Sequence, residues 1–310
     1  MATNWSDYIQ IDRTWVDKQL KNHFSDISDK LTIRLYTVKV SGTTIIPNGL
    51  ADELYFMLPD YVYSPDKIEE LGKRKAYLTA NKFFGRKDPQ TDGKYGELLL
   101  FALVESVLGC KMVGHKIASL SNFRDQVKGG DGLFLGNYAL SDGRLTPAYL
   151  IGESKIMGNY SGALTDAFKS IDRFHNASSD EFLTSEFIVA KGNLVFNNED
   201  DLDELYDRLT PSTNKFKEQV LVHPVLIMYN SDLVKNCETA GGLTPSDLEE
   251  LLFNAISKTK EKIVKSINNK LVTKPNLKTI FLDFFLIPFN DVDKFRNLMY
   301  YLIHAEHYTK

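Results

Sequence analysis

The chain has 310 residues, 43% of them hydrophobic and 25% charged, a composition that supports a buried core and excludes a wholly disordered chain. Its two cysteines are too few for a disulfide framework or a cysteine-rich zinc site, so we expect a cytoplasmic protein. The formal net charge of −4 lacks the positive surplus that a free-standing nucleic-acid-binding protein usually carries.

The first ninety residues mix helical and strand patterns. Residues 12–30 are helix-like, and residues 31–40 are rich in β-branched and aromatic residues, which predicts a strand. Residues 73–87 are basic with interleaved aromatic residues, a pattern that fits either a nucleic-acid contact or an amphipathic surface helix. We predict an N-terminal α+β extension over residues 1–90, with partner docking as its expected role, followed by the main domain over residues 91–310.

From Gly93 the pattern becomes regular. It predicts a helix over 95–108, strands near 111–117 and 131–138, a partner strand over about 147–156, and a helix over 161–174. Between the last two strands, Asp142-Gly143 favours the tight reversal of a hairpin.

The remainder alternates apolar strands with helices. Residues 219–229 and 279–288 are apolar runs of strand length. The longest apolar stretches, 98–104 and 280–289, are too short to cross a bilayer, so no membrane role is expected. A helix over 245–268 separates them, and a last helix over 291–308 closes the chain. This order predicts an α/β (α+β) fold with a mixed central sheet flanked by helices.

The run Tyr149–Ile156 is strand-like but carries two opposite charges. Side chains alternate faces along a strand, so Glu153 and Lys155 project to the same side. Charges in a buried strand are costly unless they are paired or bind an ion. Asp131 stands at the start of the preceding strand, where the hairpin would bring it beside Glu153.

Two carboxylates beside a lysine fit phosphodiester hydrolysis. Asp131 and Glu153 would hold a hard divalent cation, with the Ser154 backbone carbonyl as a candidate third ligand. Lys155 would orient or activate the attacking water. The alternative is that Glu153 and Lys155 form a simple salt bridge within a structural strand.

Glu97 is a fourth candidate for this site. It shares a helical stripe with Phe101, Val104 and Leu108, and a carboxylate on a stripe that faces the core needs a partner. It is equally explained as a first-turn glutamate favoured by the helix dipole.

Two segments are strongly charged. The basic segment has seven lysines against one glutamate over residues 258–278, and the acidic segment is Glu199–Glu204. Such runs are usually solvated faces. The functional alternative is that the basic segment follows a nucleic-acid strand and the acidic segment meets a protein partner.

These residues resemble the PD-(D/E)XK nuclease superfamily and, within it, the HamA family of the bacterial Hachiman anti-phage system. The resemblance rests on Gly96-Glu97, on Gly130-Asp131-Gly132 and on Gly152-Glu153-Ser154-Lys155. The superfamily motif covers 96 to about 174, whereas the HamA resemblance covers the full length. The chain departs from the motif where no proline precedes Asp131 and where a longer span separates Asp131 from Glu153.

The resemblance implies a deoxyribonuclease that uses Mg²⁺, with Mn²⁺ as an alternative. Asp131, Glu153, Lys155 and Glu97 would be its catalytic residues, and the three carboxylates its metal ligands. It also implies a DExD/H-type helicase-ATPase partner, HamB-like, that delivers the DNA. The competing hypothesis is a catalytically inactive nuclease fold that serves as a nucleic-acid-binding or protein-adaptor subunit.

Overall fold

The computed structural model describes residues 4–114, 130–175 and 202–309. Within these ranges, the strands are β1 Leu20–Ser28, β2 Leu31–Val38, β3 Lys111–Gly114, β4 Leu133–Ala139, β5 Leu145–Ile151, β6 Glu153–Met157, β7 Val220–Asn230 and β8 Phe281–Phe289. They form one mixed sheet in the order β1-β2-β8-β7-β5-β4-β3, and β6 pairs with β7 beyond the end of β5.

The described helices flank this sheet. They are α1 Trp15–Gln19, α2 Asn48–Phe56, α3 Leu58–Val62, α4 Pro65–Leu71, α5 Lys73–Phe84, α6 Lys94–Leu103, α7 Tyr160–Arg173, α8 Leu202–Arg208, α9 Asn214–Lys217, α10 Asp232–Glu238, α11 Pro245–Ser257, α12 Lys260–Val272 and α13 Val292–His304. The α/β (α+β) class with a mixed sheet and flanking helices is therefore confirmed. No helix among the described residues is long and apolar enough to cross a membrane.

Both strand directions occur in the sheet. Strands β2, β8 and β7 run parallel, as do the pairs β5 with β7 and β6 with β7. The pairs β1 with β2, β4 with β5 and β3 with β4 are antiparallel. Because neighbouring parallel strands are connected through helices, both faces of the central strands are covered and most of their side chains are apolar.

The predicted helix over residues 12–30 is wrong in its larger part. Only α1 is helical there, and β1 pairs with β2 around a tight turn at Asp29, whose φ is 25°. The imidazole of His23 lies 2.8 Å from the Thr37 hydroxyl across this hairpin. Tertiary pairing has overridden the local helical pattern, because the β2 edge offers a full ladder of hydrogen bonds.

Other predicted boundaries changed by less. The helix expected over 245–268 is two helices, α11 and α12, which are separated near Lys258. Of the strand expected near 111–117, residues 115–117 lie outside the described residues. The division near residue 90 stays a prediction; β2, from the first part, pairs with β8, from the second.

The two faces of β7 pack into different parts of the core. Val222, Leu226 and Met228 pack in the cluster that contains α6, whereas Val225 and Ile227 pack in the cluster that contains α7. The sheet is thus held between α6 on one face and α7 on the other. The candidate site lies in the neighbouring strand β6, which both helices contact.

Candidate active site

The strand that carries Glu153 and Lys155 is interrupted at Gly152. The sequence predicts one continuous strand there, but β5 ends at Ile151 and β6 begins at Glu153. Both segments pair in parallel with β7, with Leu150 opposite Val222 and Glu153 opposite Val225. The interruption frees the peptide groups around Gly152 to bind the segment that carries Asp131.

Asp131 is held against this interruption by both its backbone and its side chain. Its N–H donates to the Gly152 carbonyl at 2.8 Å, and the Gly152 N–H donates to the Gly132 carbonyl at 2.9 Å. Its Oδ2 accepts from the backbone N–H of Ser154 at 2.7 Å and from the Ser154 hydroxyl at 2.8 Å. The β4–β5 hairpin therefore brings Asp131 beside the strand of Glu153.

A glycine allows this close approach. A Cβ added at Gly130 would lie 2.4 Å from Cγ2 of Ile151, which is a buried side chain. Any larger residue at position 130 would push the segment away from β6. The glycine beside Asp131 is thus explained by packing against the strand.

Glu153 and Lys155 lie on one face of β6, as strand alternation predicts. The Lys155 ammonium donates to Glu153 Oε1 and also to the Ser154 carbonyl, at 3.2 Å in the second case. The Glu153 side chain is 5% exposed and that of Lys155 is 25% exposed. The pair is therefore turned inward and differs from a solvated surface salt bridge.

The environment of Glu153 disfavours its charged form. Burial raises the pKa of its carboxyl to about 7, and the nearby Asp131 carboxylate acts in the same direction. The Lys155 ammonium and a hydrogen bond with Ser170 of α7 oppose this rise. Asp131 therefore lies near enough to Glu153 for the two carboxylates to repel each other, although it is bound to Ser154, whose side chain projects to the other face of the strand.

Glu97 lies on α6, which packs on the face of β6 that carries Ser154. A Cβ at Gly96 would lie 3.0 Å from the Ser154 hydroxyl, so the absence of a side chain lets the helix touch the strand. Glu97 is half-buried and accepts a hydrogen bond from the Tyr61 hydroxyl at 3.3 Å. After burial, the carboxylates of Glu97 and Asp131 are the next causes that raise the pKa of Tyr61, so this phenol stays neutral between them.

The residues present fit a magnesium ion only in part. Among the described residues, no group of three or more histidine, cysteine, aspartate or glutamate side chains is arranged to hold a metal. Magnesium is commonly bound through one or two carboxylates, with water and substrate phosphate as the other ligands. Asp131 and Glu153 fit that arrangement. Glu97 is related to Asp131 through Tyr61, which donates a hydrogen bond to Glu97 and is influenced by the Asp131 carboxylate.

His223 and its neighbour His175 are not among the site residues that the sequence predicts. His223 is fully buried in β7, and its Nδ1 lies 2.8 Å from the Ile151 carbonyl oxygen, where β5 ends. That oxygen only accepts, so Nδ1 of His223 carries a proton. Burial lowers the pKa of His223 to about 3, so the ring is neutral and its Nε2 accepts from Nε2 of His175 at 2.9 Å.

A sequence signal for this residue was present. His223 and Pro224 interrupt an otherwise apolar run, and proline within a central strand cannot donate a ladder hydrogen bond. The His223 imidazole donates to the Ile151 carbonyl next to the position where Pro224 lacks an N–H. His223 thus supports the backbone from which Glu153 projects.

The family model of HamA matches residues 10–303. The chain belongs to the HamA family. This membership suggests a role in Hachiman anti-phage defence. No curated protein matches this HamA-family chain.

The charged segments of this HamA-family chain are partly engaged in ion pairs. In the basic segment, Lys260 pairs with Asp26 at 3.0 Å, and Lys274 pairs with Asp172 of α7 at 2.6 Å. In the acidic segment, residues 199–201 lie outside the described residues, and Glu204 pairs with Arg208 at 3.0 Å. The earlier basic stretch forms α5, whose buried face makes it an amphipathic helix.

Proposed function

We propose that the chain is a divalent-metal-dependent nuclease that hydrolyses phosphodiester bonds of DNA, as the effector of an anti-phage complex with a HamB-like helicase. The observation that carries this proposal is the inward-turned Glu153–Lys155 pair, with Asp131 fastened to the intervening Ser154. A purely structural salt bridge would not require a third charged residue bound to the strand between the two paired residues.

The roles divide among the chain's own residues. Asp131 and Glu153 would hold Mg²⁺ or Mn²⁺, which when bound polarises the scissile phosphate and offsets its developing charge. Lys155, placed beside Glu153, would orient the attacking water. Ser154 keeps Asp131 in position, and Glu97 would act with Tyr61 at the margin of the site.

The net charge supports the helicase partner that the resemblance implies. A chain with a net charge of −4 gathers phosphates poorly by itself, so a helicase that grips and delivers DNA would compensate. We therefore expect the purified chain to bind and cut DNA weakly alone, and faster in the presence of the helicase and ATP. Equal cutting with and without the helicase would contradict the partnership.

The test is cleavage of plasmid DNA with magnesium, with and without the helicase. Glu153→Gln and Lys155→Met should each reduce the rate by about a hundredfold or more, because each removes a group that acts on the reacting atoms. The matched controls are Glu70→Gln and Lys67→Met, the same changes in an exposed ion pair, and these should cut normally. Unchanged cutting by both site variants would overturn the site assignment, and absence of cutting by the wild type would favour the adaptor hypothesis.

A further inference from the structure

A cavity of about 720 Å³ opens between α7 and α12, away from the candidate cutting site. It is bordered by Tyr229 and Ser231 at the carboxyl end of β7 and by Pro288 near that of β8. In α/β sheets, ligands commonly bind outside the carboxyl ends of parallel strands, in cavities of about 300–1,000 Å³. Both the position and the size of this cavity match that pattern.

One wall of the cavity is apolar and aromatic. Tyr160 and Tyr229 lie with their ring centroids 5.0 Å apart, and the Tyr160 hydroxyl lies 3.1 Å from that of Ser266. Aliphatic side chains complete this wall, namely Leu35, Leu164, Leu233, Ile256 and Ile263. A flat ring would find both an aromatic surface and an apolar floor here.

The opposite wall is a polar stripe along α12. It consists of Lys262, Ser266, Asn269, Lys270 and Thr273, whose spacing places them on one side of the helix. The lining therefore contains two lysines and, among the described residues, no aspartate or glutamate. An anion is favoured on this wall and a cation is not.

We propose that this cavity binds a nucleotide, with its base against Tyr160 and Tyr229 and its phosphate at Lys262 and Lys270. A lipid chain would leave the polar stripe unpaired, and a free phosphate would leave the aromatic wall unused. The same chemistry is offered by a free mononucleotide and by the terminal nucleotide of a DNA strand. The experiment separates these two sources.

This site is distinct from the proposed nuclease site, because the cavity is lined by none of Glu97, Asp131, Glu153 and Lys155. Tyr160 begins α7, whereas Ser170, which contacts Glu153, lies ten residues along the same helix, about 15 Å away at 1.5 Å per residue. Binding is therefore measured in EDTA, where metal-bridged phosphate at Glu153 is removed. A failure of either proposal leaves the other standing.

The test is isothermal titration calorimetry of the full chain with AMP, adenosine, inorganic phosphate and a short 5′-phosphorylated oligonucleotide. AMP should bind more tightly than adenosine or phosphate, because only AMP engages both walls. Lys262→Gln/Lys270→Gln should weaken AMP binding at least about tenfold, since charge-assisted hydrogen bonds to phosphate are lost. The control is Lys265→Gln, on the same helix but outside the cavity lining, and it should bind AMP normally.

The outcomes decide between the sources. Binding of AMP assigns the site to free nucleotides, and binding of the oligonucleotide alone, lost in the double variant, assigns it to strand ends. The proposal would be overturned if neither AMP nor the oligonucleotide bound. It would also be overturned if Lys265→Gln weakened AMP binding as much as the double variant does. Because both lysines lie at the surface of α12, the double variant should keep the wild-type circular dichroism spectrum and melting temperature.

Discussion

His223 donates from Nδ1 to the carbonyl of Ile151 at 2.8 Å, one residue before the interruption at Gly152. Replacement by leucine fills the space but leaves this buried carbonyl unsatisfied, which should lower the free energy of unfolding by about 1–3 kcal/mol. Replacement by asparagine keeps a donor near the Nδ1 position and loses ring packing against Phe174. Urea denaturation of both variants measures the two costs.

DNA cutting separates positioning from stability in this pair of variants. If His223 orients the backbone of Glu153, His223→Leu should cut more slowly than His223→Asn at temperatures where both are folded. Equal cutting rates would show that His223 contributes to packing and does not position Glu153. This comparison depends on the proposed nuclease activity, whereas the denaturation measurement does not.

His223 should also make the fold sensitive to acid. Its pKa is lowered by burial to about 3, whereas in the unfolded chain it is the ordinary value of 6.5. Between these values the unfolded state binds the proton and the folded state does not, so stability rises with pH. From pH 6.5 down to 5, the wild type should lose up to about 1.4 kcal/mol per pH unit from this residue. Urea denaturation across that range should show that His223→Asn loses less unfolding free energy than the wild type. Equal losses in the two proteins would show that His223 is not the cause of the acid sensitivity.

Ser154 fastens Asp131 through both its hydroxyl and its backbone N–H. Ser154→Ala removes the hydroxyl alone, so the free energy of unfolding should fall by about 1.5–3 kcal/mol, the range for a hydrogen bond to a charged group. Thermal or urea denaturation measures this change. Ser25→Ala, in the exposed part of β1, is the control and should stay within about 0.5 kcal/mol of wild type.

Asp283 is fully buried in β8 and is bound by Arg34 at 2.9 and 3.0 Å and by the Tyr138 hydroxyl at 3.1 Å. Asp283→Leu leaves the guanidinium without its partner and should cost about 3–5 kcal/mol of unfolding free energy. The double variant Arg34→Met/Asp283→Leu removes both charges and should lose less. Denaturant titration of both variants checks the order, and a larger loss in the double variant would contradict it.

The sequence predicted those parts of the site that depend on local periodicity. Alternation along a strand was enough to place Glu153 and Lys155 on one face, and Asp142-Gly143 was enough to predict the hairpin that carries Asp131. These features depend on neighbours along the chain, whose geometry is fixed by backbone periodicity and turn conformation.

What the sequence did not predict depends on contacts between distant segments. The interruption at Gly152 depends on β7, about seventy residues away, and on His223, which contacts the strand end. The local pattern of strand β1 resembles that of a helix, and its pairing with β2 is not visible in that pattern. The role of Tyr61 beside Glu97 likewise depends on the packing of two helices.

The raised pKa of Glu153 makes metal binding depend on pH. With a pKa of about 7, caused by burial and then by Asp131, the carboxyl is protonated at pH 6 and ionised at pH 8. A metal ligand must be deprotonated, so the affinity for Mn²⁺ should fall about tenfold per pH unit below 7 and become constant above it. Isothermal titration at pH 6, 7 and 8 in buffers of different ionisation enthalpy measures both the affinity and the released proton. Glu153→Gln should bind weakly with little dependence on pH, and equal wild-type affinity at pH 6 and 8 would remove Glu153 from the proposed metal ligands.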